Sequence, residues 1–347
     1  MLRVEKRKIG ELNKCYALTT LSYKGAEHIL VAAEKNDPCY LYTAAGDYVG
    51  KVWDGPGGVM TMKQVPGTDG VFLTTQKFYS PNDSQEAYLA VVEPSGDEWQ
   101  IRKVADLPFV HRFDIVEFYG EQYITLCTLK SDHQHKDDFS AAGKVYLAKL
   151  PADWAEYNEQ HQLQFEVVAD DLHHNHGYST YQKDGRTQLV ISADEGVFLF
   201  DRQKDGKFKV ERLIREAISD AVLVDFRKDG NPTLCTIGAF HGEKIRFYDQ
   251  VDGKYQLSYT HAKAIDFLHG ITTASISGVP YFFVGARKDE RDLLAFSLVN
   301  GKYEYQEIDS GAGAANLLFV EHAGKSTLWA TNREVDEIAA YDLELVE

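Results

Sequence analysis

Residues 176–213 read HGYSTYQKDGRTQLVISADEGVFLFDRQKDGKFKVERL, and this stretch decides the fold of the 347-residue chain. Its first two apolar runs flank the turn Lys183-Asp184-Gly185, and Asp-Gly between two such runs is a strong β-hairpin signal. The third run, VFLFD, is followed by a second Lys-Asp-Gly turn and by a fourth run, FKVERLI. The stretch therefore predicts one antiparallel meander of four strands.

The same pattern of four apolar runs and turns recurs along the chain with a period of about 40 to 55 residues, which is typical of repeat architectures. Copies start near positions 16, 58, 111, 176, 220, 269 and 315. The last copy stops after its third strand, while the chain begins with a spare strand at residues 2–9, LRVEKRKI. That spare strand can complete the last sheet and close a ring, which removes the exposed edges of an open array.

These repeats predict an all-β fold: a seven-bladed β-propeller of four-stranded antiparallel blades, forming a single domain over residues 1–347. Two stacked β-sandwiches would explain neither the seven matched units nor the spare strand. Two segments depart from the repeat. Residues 131–143 (SDHQHKDDFSAAG) are a polar insertion, and the composition of residues 151–161 (PADWAEYNEQH) favours a short helix that begins at Pro151.

Composition excludes several classes of protein. The formal net charge is −16 and no basic stripe is present, so nucleic-acid binding is not expected. No run approaches the roughly 18 apolar residues of a membrane span, and the N-terminus lacks the apolar core of a signal peptide. The four cysteines have no C-x-x-C spacing, which argues against zinc-ribbon and thioredoxin folds. We therefore expect a cytoplasmic protein with free thiols.

Histidines recur at one position of the repeat. Counting back nine residues from the glycine of the first turn leads to His111, His176 and His269 in the third, fourth and sixth units. The corresponding positions elsewhere are approximately Tyr16, Gly58, Ala221 and Ala315, with Asp220 and Asn316 beside them. Innermost propeller strands all start at one end of the central channel, so the three imidazoles should meet at its mouth.

Three neutral imidazoles that converge suit a divalent transition metal such as Zn²⁺ or Mn²⁺, and they leave a coordination position open. Asp220 is expected either as a fourth ligand or as a hydrogen-bond partner of a ligand. The sequence thus predicts a metal centre of His111, His176, His269 and Asp220. Two alternatives remain open: the histidines contact a sugar directly without a metal, or they line a wet channel in a structural role.

A second repeat position, ten residues after the first-turn glycine, carries cations on the same face. The predicted substrate-binding residues are Lys77, Lys130, Lys288 and Arg333 in these loops, together with Arg112 beside His111. In so acidic a chain such a rim would suit a carboxylate, a phosphate or a developing enolate. Loops are commonly polar in any case, so an ordinary solvated surface remains the alternative.

Two further histidines are candidate general acids or bases. His241 follows a second strand and is placed to reach over the channel mouth. His174 lies two residues before His176 and so shares its face of the strand, whereas His173 should point away.

Short motifs resemble one enzyme family. They are Gly238–Tyr248 (GAFHGEKIRFY), Val110–Phe113 (VHRF), residues 190–201 (VISADEGVFLFD) and Leu268–Gly270 (LHG). They are similar to the propeller domain of fungal aldos-2-ulose dehydratase and its bacterial relatives, over roughly residues 110–298. The cupin domain and second propeller of the fungal enzyme have no counterpart. The Asp-Gly turns also resemble FG-GAP/VCBS repeats, but Lys-Asp-Gly lacks the aspartates that a calcium site needs.

The resemblance implies metal-assisted dehydration or isomerisation of keto-sugars, starting with proton removal beside a carbonyl. We therefore predict a carbon–oxygen lyase or sugar isomerase that acts on a keto-sugar or a uronate-like sugar at the channel mouth. The metal would polarise the carbonyl, and His241 or His174 would move the proton. The alternative is a non-enzymatic propeller that binds a carbohydrate or protein partner through that face.

Overall fold

The structure is a computed structural model that describes residues 1–346. Within them the chain forms 28 β-strands arranged as seven four-stranded antiparallel sheets, so the predicted seven-bladed propeller is confirmed. The N-terminal strand β1 (Leu2–Glu11) joins the sheet of the last three strands, in the order β1-β28-β27-β26. Its pairing runs from Leu2 opposite Leu345 to Glu11 opposite Glu337, which closes the ring as predicted.

The first four blades consist of β2 (Cys15–Tyr23), β3 (Ala26–Ala33), β4 (Cys39–Thr43) and β5 (Tyr48–Trp53); β6 (Met62–Gln64), β7 (Phe72–Gln76), β8 (Tyr88–Ser95) and β9 (Glu98–Asp106); β10 (Val110–Phe118), β11 (Glu121–Thr128), β12 (Gly143–Lys149) and β13 (Glu166–Leu172); and β14 (Gly177–Lys183), β15 (Arg186–Ala193), β16 (Gly196–Arg202) and β17 (Phe208–Ile214). The last three consist of β18 (Ile218–Val224), β19 (Thr233–Gly238), β20 (Ile245–Val251) and β21 (Lys254–Thr260); β22 (Leu268–Ile276), β23 (Val279–Ala286), β24 (Leu293–Val299) and β25 (Lys302–Asp309); and β26 (Ala314–His322), β27 (Lys325–Asn332), β28 (Glu337–Leu345) and β1.

The core lies between neighbouring blades. The second strand of each blade is covered on both faces, so it reads as a nearly continuous apolar run and not as an alternation. In β15 and β27, for example, the last six residues are all buried. Large side chains such as Trp329 and Phe247 fill the spaces between sheets. The four cysteines are buried and unpaired within this packing.

The predicted helix at residues 151–161 is wrong. The segment forms turns, and the single helix in residues 1–346 is one 3-10 turn at Arg333–Val335. Trp154 is buried, and its carbonyl accepts a hydrogen bond from Arg102 at 2.9 Å. The Asn158 side chain accepts bonds from the backbone of Gln160 and His161, an arrangement that competes with helix. No helix among the described residues is long and apolar enough to cross a membrane.

Asp249 links blades five and six and should make the fold sensitive to acid. Its carboxylate accepts two bonds from Arg227 at 2.9 Å, one from Thr233 at 2.7 Å and one from Tyr303 at 2.6 Å. Burial alone would raise the pKa of Asp249, but the hydrogen bonds from Arg227, Tyr303 and Thr233 outweigh it and lower the pKa to about 2. Because this value lies below that of the unfolded chain, the stabilisation is complete above pH 4 and disappears as the pH falls towards 2.

We expect Asp249→Asn to lose about 1–2 kcal/mol of stability at pH 7, after allowing for screening at a side chain that is 17% exposed. Urea unfolding of both proteins at pH 7 and pH 3 checks this. The difference in stability should be smaller at pH 3 than at pH 7, and an equal difference at both would contradict the assignment. Asp205→Asn, in an exposed turn, is the matched control.

Candidate functional site

The innermost strands of the blades all begin at one end of the channel, which we call the upper face. Most of them begin with the same backbone conformation. We call the repeat position of His111, His176 and His269 the ring position, because these residues encircle the channel. In six blades a residue with positive φ lies two residues before it: Lys14 before Tyr16, Gly58 before Met60, Phe109 before His111, His174 before His176, Phe267 before His269 and Gly313 before Ala315. In five blades the strand register then shifts at the ring residue, at Tyr16, His111, Ser219, His269 and Ala315. A bulge of this kind re-aims a side chain.

The expected ring residues Gly58 and Ala221 are each wrong by two positions. Counting from the turn glycine assumes a two-residue turn such as Lys24-Gly25. The turns of blades two and five are longer, at residues 65–71 and 225–232. The structure therefore places Met60 and Ser219 at the ring position, and Asp220 follows Ser219.

The three predicted histidines meet at the channel mouth together with His241. The ring centroids of His111 and His176 are 4.4 Å apart, and those of His176 and His269 are 5.4 Å apart. His241 lies 5.0 Å from His176 and 5.1 Å from His269. One nitrogen each of His176, His241 and His269 falls within 4.8 Å of the others, a set we call the three-nitrogen cluster. His111 lies against this cluster but is not a member.

Hydrogen bonds orient two of the cluster rings. His176 Nδ1 lies 2.8 Å from Asp220 Oδ2, and Ser219 Oγ donates to the same carboxylate oxygen at 2.9 Å. His176 Nε2 is buried and has no hydrogen-bond partner among the described residues. His269 Nδ1 donates to the Ala315 carbonyl at 2.7 Å, which turns Nε2 towards the Tyr16 hydroxyl at 3.1 Å. A carboxylate or a carbonyl behind the ring is the usual support of a metal-binding histidine.

Burial disfavours the charged form of the His111, His241 and His269 imidazoles. His111, His176 and His269 are only 3%, 1% and 2% exposed. Burial, followed by repulsion from neighbouring positive groups, lowers the pKa of His111 and His269 well below the ordinary value and that of His241 to about 2. For Asp220, burial would raise the pKa, but His176, Arg112 and the Ser219 hydroxyl together outweigh it, and the net shift of the pKa is downward. Neutral imidazoles provide the lone pairs that a cation needs.

A line of aromatic rings, here called the aromatic stack, covers the upper side of the cluster. Phe139 lies 4.5 Å from His174, His174 lies 4.8 Å from Phe240, and Phe240 lies 4.0 Å from His241 between centroids. Phe267 stacks on the same His241 ring at 4.4 Å. The polar insertion at residues 131–143 thus delivers Phe139 to the channel mouth. His174 reaches the cluster only across Phe240, and its Nδ1 lies 2.7 Å from Asp194.

The predicted cationic rim is largely engaged in local contacts. Lys130 is buried, its Nζ donates to the Asp138 carbonyl at 2.9 Å, and it lies over the Phe139 ring. Arg333 pairs with Glu34 and Glu334. Lys77 lies 3.3 Å from Glu86, and Lys288 is an exposed residue 3.6 Å from Asp266. A substrate-binding role for these four cations stays a prediction.

A central channel of about 330 Å³ lies on the other side of the cluster from the aromatic stack. His269 and Asp220 line its upper end, and no residue of the stack is among its described lining residues. Arg112 lines it too; its Nη1 donates to the Met60 carbonyl at 3.2 Å, and the guanidinium lies 5.9 Å from the Tyr16 ring centroid. The upper end of this channel, here called its roof, is thus formed by His269 of the three-nitrogen cluster and by Asp220.

Sequence reasoning missed Tyr16, Phe139, Phe240 and Phe267 as components of the site. The sequence contains a signal for two of them. Tyr16 occupies the repeat position of the histidines, and Phe267 precedes His269 by two residues, as Phe109 precedes His111. Phe139 and Phe240 lie in loops whose paths the repeat does not determine.

Comparisons with known proteins support the fold. No family model matches the chain, and no curated protein sequence matches it. The Cps50 (Swd1) β-propeller domain of Myceliophteria thermophila is similar in structure, with a TM-score of 0.62 and 11% identity over 97% of this chain and 99% of that one. The Dos1 propeller has a TM-score of 0.56 and 14% identity, over 92% of this chain and 78% of that one. At such low identity these likenesses show that the chain is a β-propeller and nothing finer.

Proposed function

We propose that this propeller is a metal-dependent carbon–oxygen lyase or isomerase of a keto-sugar, with its site at the roof of the channel. The observation that carries the proposal is the three-nitrogen cluster of His176, His241 and His269, in which the buried His176 Nε2 has no hydrogen-bond partner among the described residues. An unpartnered buried polar atom costs about 1–3 kcal/mol, so a fold that retains one commonly uses it.

The donor set fits a divalent transition metal. Three imidazole nitrogens within 4.8 Å of one another match the ligand type and number of catalytic zinc sites, which keep a fourth position for water or substrate. Asp220 fits as the orienting partner of His176 and not as a ligand, since its Oδ2 lies 2.8 Å from His176 Nδ1. His241 fits as a ligand and not as the free base that we expected from the sequence, because its nitrogen belongs to the cluster.

The remaining residues suit a small polyhydroxylated carbonyl compound. A bound divalent metal would act as a Lewis acid towards a carbonyl oxygen. Hydroxyl groups of Thr19, Ser179 and Thr272 line the channel and can exchange hydrogen bonds with sugar hydroxyls. His174 lies on the far side of Phe240 from the channel, so the geometry gives no support to its predicted role in proton transfer. The resemblance of the short motifs to aldos-2-ulose dehydratase implies the same substrate class.

The second candidate is a non-enzymatic propeller that binds a carbohydrate or protein partner. The near-complete burial of the three histidines favours it, since each is at most 3% exposed. In that case the hydrogen bonds of His176 and His269 would serve to hold the blades together.

Metal analysis and turnover distinguish the two candidates. Protein purified without a histidine tag should contain about one Zn or Mn per chain. With keto-sugars such as anhydrofructose it should generate a product that has lost water or moved its carbonyl, followed by ¹H NMR. Chelation should stop the reaction, and the metal should restore it. A bound metal without turnover of any keto-sugar would contradict the lyase. The absence of both the metal and turnover would favour the binding protein.

A further inference from the structure

We infer that the channel, and not the upper face, is the substrate compartment of this site, and that it takes a sugar bearing a carboxylate, which Arg112 binds. This inference rests on the proposed function and specifies its substrate class. Three observations carry it: the route to the cluster, an unpaired cation in the channel, and the size and polarity of the lining.

The path by which a substrate can reach the cluster follows from the residues that cover its two sides. On the upper side the aromatic stack has centroid spacings of 4.0 to 4.8 Å, which leaves no gap between successive rings for a sugar. On the lower side the channel reaches His269 and Asp220 directly. Its far end is marked by Thr180 and Thr273, which are exposed. Thr273 lies four residues along β22 from His269, or about 13 Å at the usual strand rise.

Among the charged residues that line the channel, only Arg112 has no oppositely charged partner among the described residues. Four charged residues line the channel, and the other three have partners: Lys63 pairs with Asp114 at 3.1 Å, and Asp220 is bonded to His176. Arg112 makes no ion pair among the described residues, and its guanidinium donates a single hydrogen bond, to Met60. In a chain with a net charge of −16, a partly buried arginine without a carboxylate partner among the described residues is free to bind an anion.

Arg112 and the three-nitrogen cluster lie close enough together for one small ligand to contact both. Arg112 lies against the Tyr16 ring, and the Tyr16 hydroxyl is 3.1 Å from His269 Nε2. One side chain therefore separates the anion site from the cluster. A volume of about 330 Å³ is at the small end of the range for ligand pockets, roughly 300–1,000 Å³, and suits a monosaccharide. Arg112 would hold the carboxylate of a sugar acid while its hydroxyl and carbonyl groups face the threonines and the cluster.

Calorimetric titration of metal-free protein tests the inference separately from turnover. D-glucuronate should bind at least about 10-fold more tightly than neutral D-glucose, because a charge-assisted bond to Arg112 is available only to the acid. Arg112→Gln should remove this preference, and Arg112→Lys should keep part of it, since lysine retains the charge but not the planar fork. Arg215→Gln, at an exposed arginine outside the channel, is the matched control and should bind as the wild type does.

The route is tested with two further variants. Thr273→Trp should narrow the far end and slow or abolish glucuronate binding, whereas Phe139→Ala, which opens the aromatic stack, should leave the association rate unchanged. Circular dichroism and thermal unfolding confirm that each variant is folded. Equal affinity for glucuronate and glucose in the wild type, or faster association in Phe139→Ala with none lost in Thr273→Trp, would overturn the inference. Preferential glucuronate binding without turnover would sustain it and refute the lyase alone.

Discussion

Replacing His176 with alanine is expected to abolish stoichiometric metal binding and, with it, all metal-dependent turnover. Its Nε2 is buried without a hydrogen-bond partner among the described residues, and its ring contacts those of His111, His241 and His269. Removing one of the three proposed ligands would leave two imidazoles, too few to hold a metal in a site of this kind. Metal analysis after dialysis, with Co²⁺ absorption spectra as a second readout, measures the loss.

Asp220→Asn gives a graded comparison. It keeps the side-chain volume but removes the charge behind His176, and the loss of such a partner typically costs about 10- to 100-fold in metal affinity. His241→Ala, at a less buried position, guards against misfolding of the His176 variant and should also lose the metal. His322→Ala, at the exposed end of β26, is the matched control. Full metal content in His176→Ala would exclude the cluster as the metal site.

Deleting residues 1–11 is expected to leave no stably folded protein at 37 °C. The deletion removes the whole β1–β28 ladder, the buried Leu2, and the ion pairs from Lys6 to Asp309 and from Arg7 to Asp342. Domains of this kind have a net stability of only about 5–15 kcal/mol, so the loss of an entire strand consumes most of it. It also opens the ring and exposes the edge of β28, which invites pairing with another chain.

Thermal unfolding and size-exclusion chromatography of the truncated protein measure this effect. A synthetic peptide of residues 1–11 should restore a cooperative transition, because it can re-form the ladder, while a scrambled peptide of the same composition should not. Cooperative unfolding of the truncated monomer at the wild-type temperature would show that closure by β1 contributes little to stability.

The architecture could be predicted because its determinants are local and repeated. Each Lys-Asp-Gly or Gly-containing turn specifies a hairpin by itself, and the spare first strand together with the missing fourth strand of the last unit implies closure. The ring residues of blades two and five are predicted wrongly because their first turns are longer: Gly58 is expected where Met60 lies, and Ala221 where Ser219 lies. At residues 151–161, helix propensity was overridden by the burial of Trp154.

The site could be predicted only in part. The repeat correctly brought His111, His176 and His269 to one place, because equivalent positions in a closed ring must converge. It could not show that His241 displaces His111 from the three-nitrogen cluster, since the ring orientations depend on the hydrogen bonds to Asp220 and Ala315. Nor could it show that Lys130 and Arg333 are engaged by their own loops.

By itself, then, the sequence determined the number of blades, the closing strand and the gathering of histidines at one end of the channel, because turn chemistry and strand periodicity act over a few residues and repeat. Only the tertiary structure decided which nitrogens face one another, which cation is left without a partner, and which side of the cluster is open. Those features depend on bulges, loop paths and side-chain contacts between residues far apart in the chain, and no local pattern encodes them.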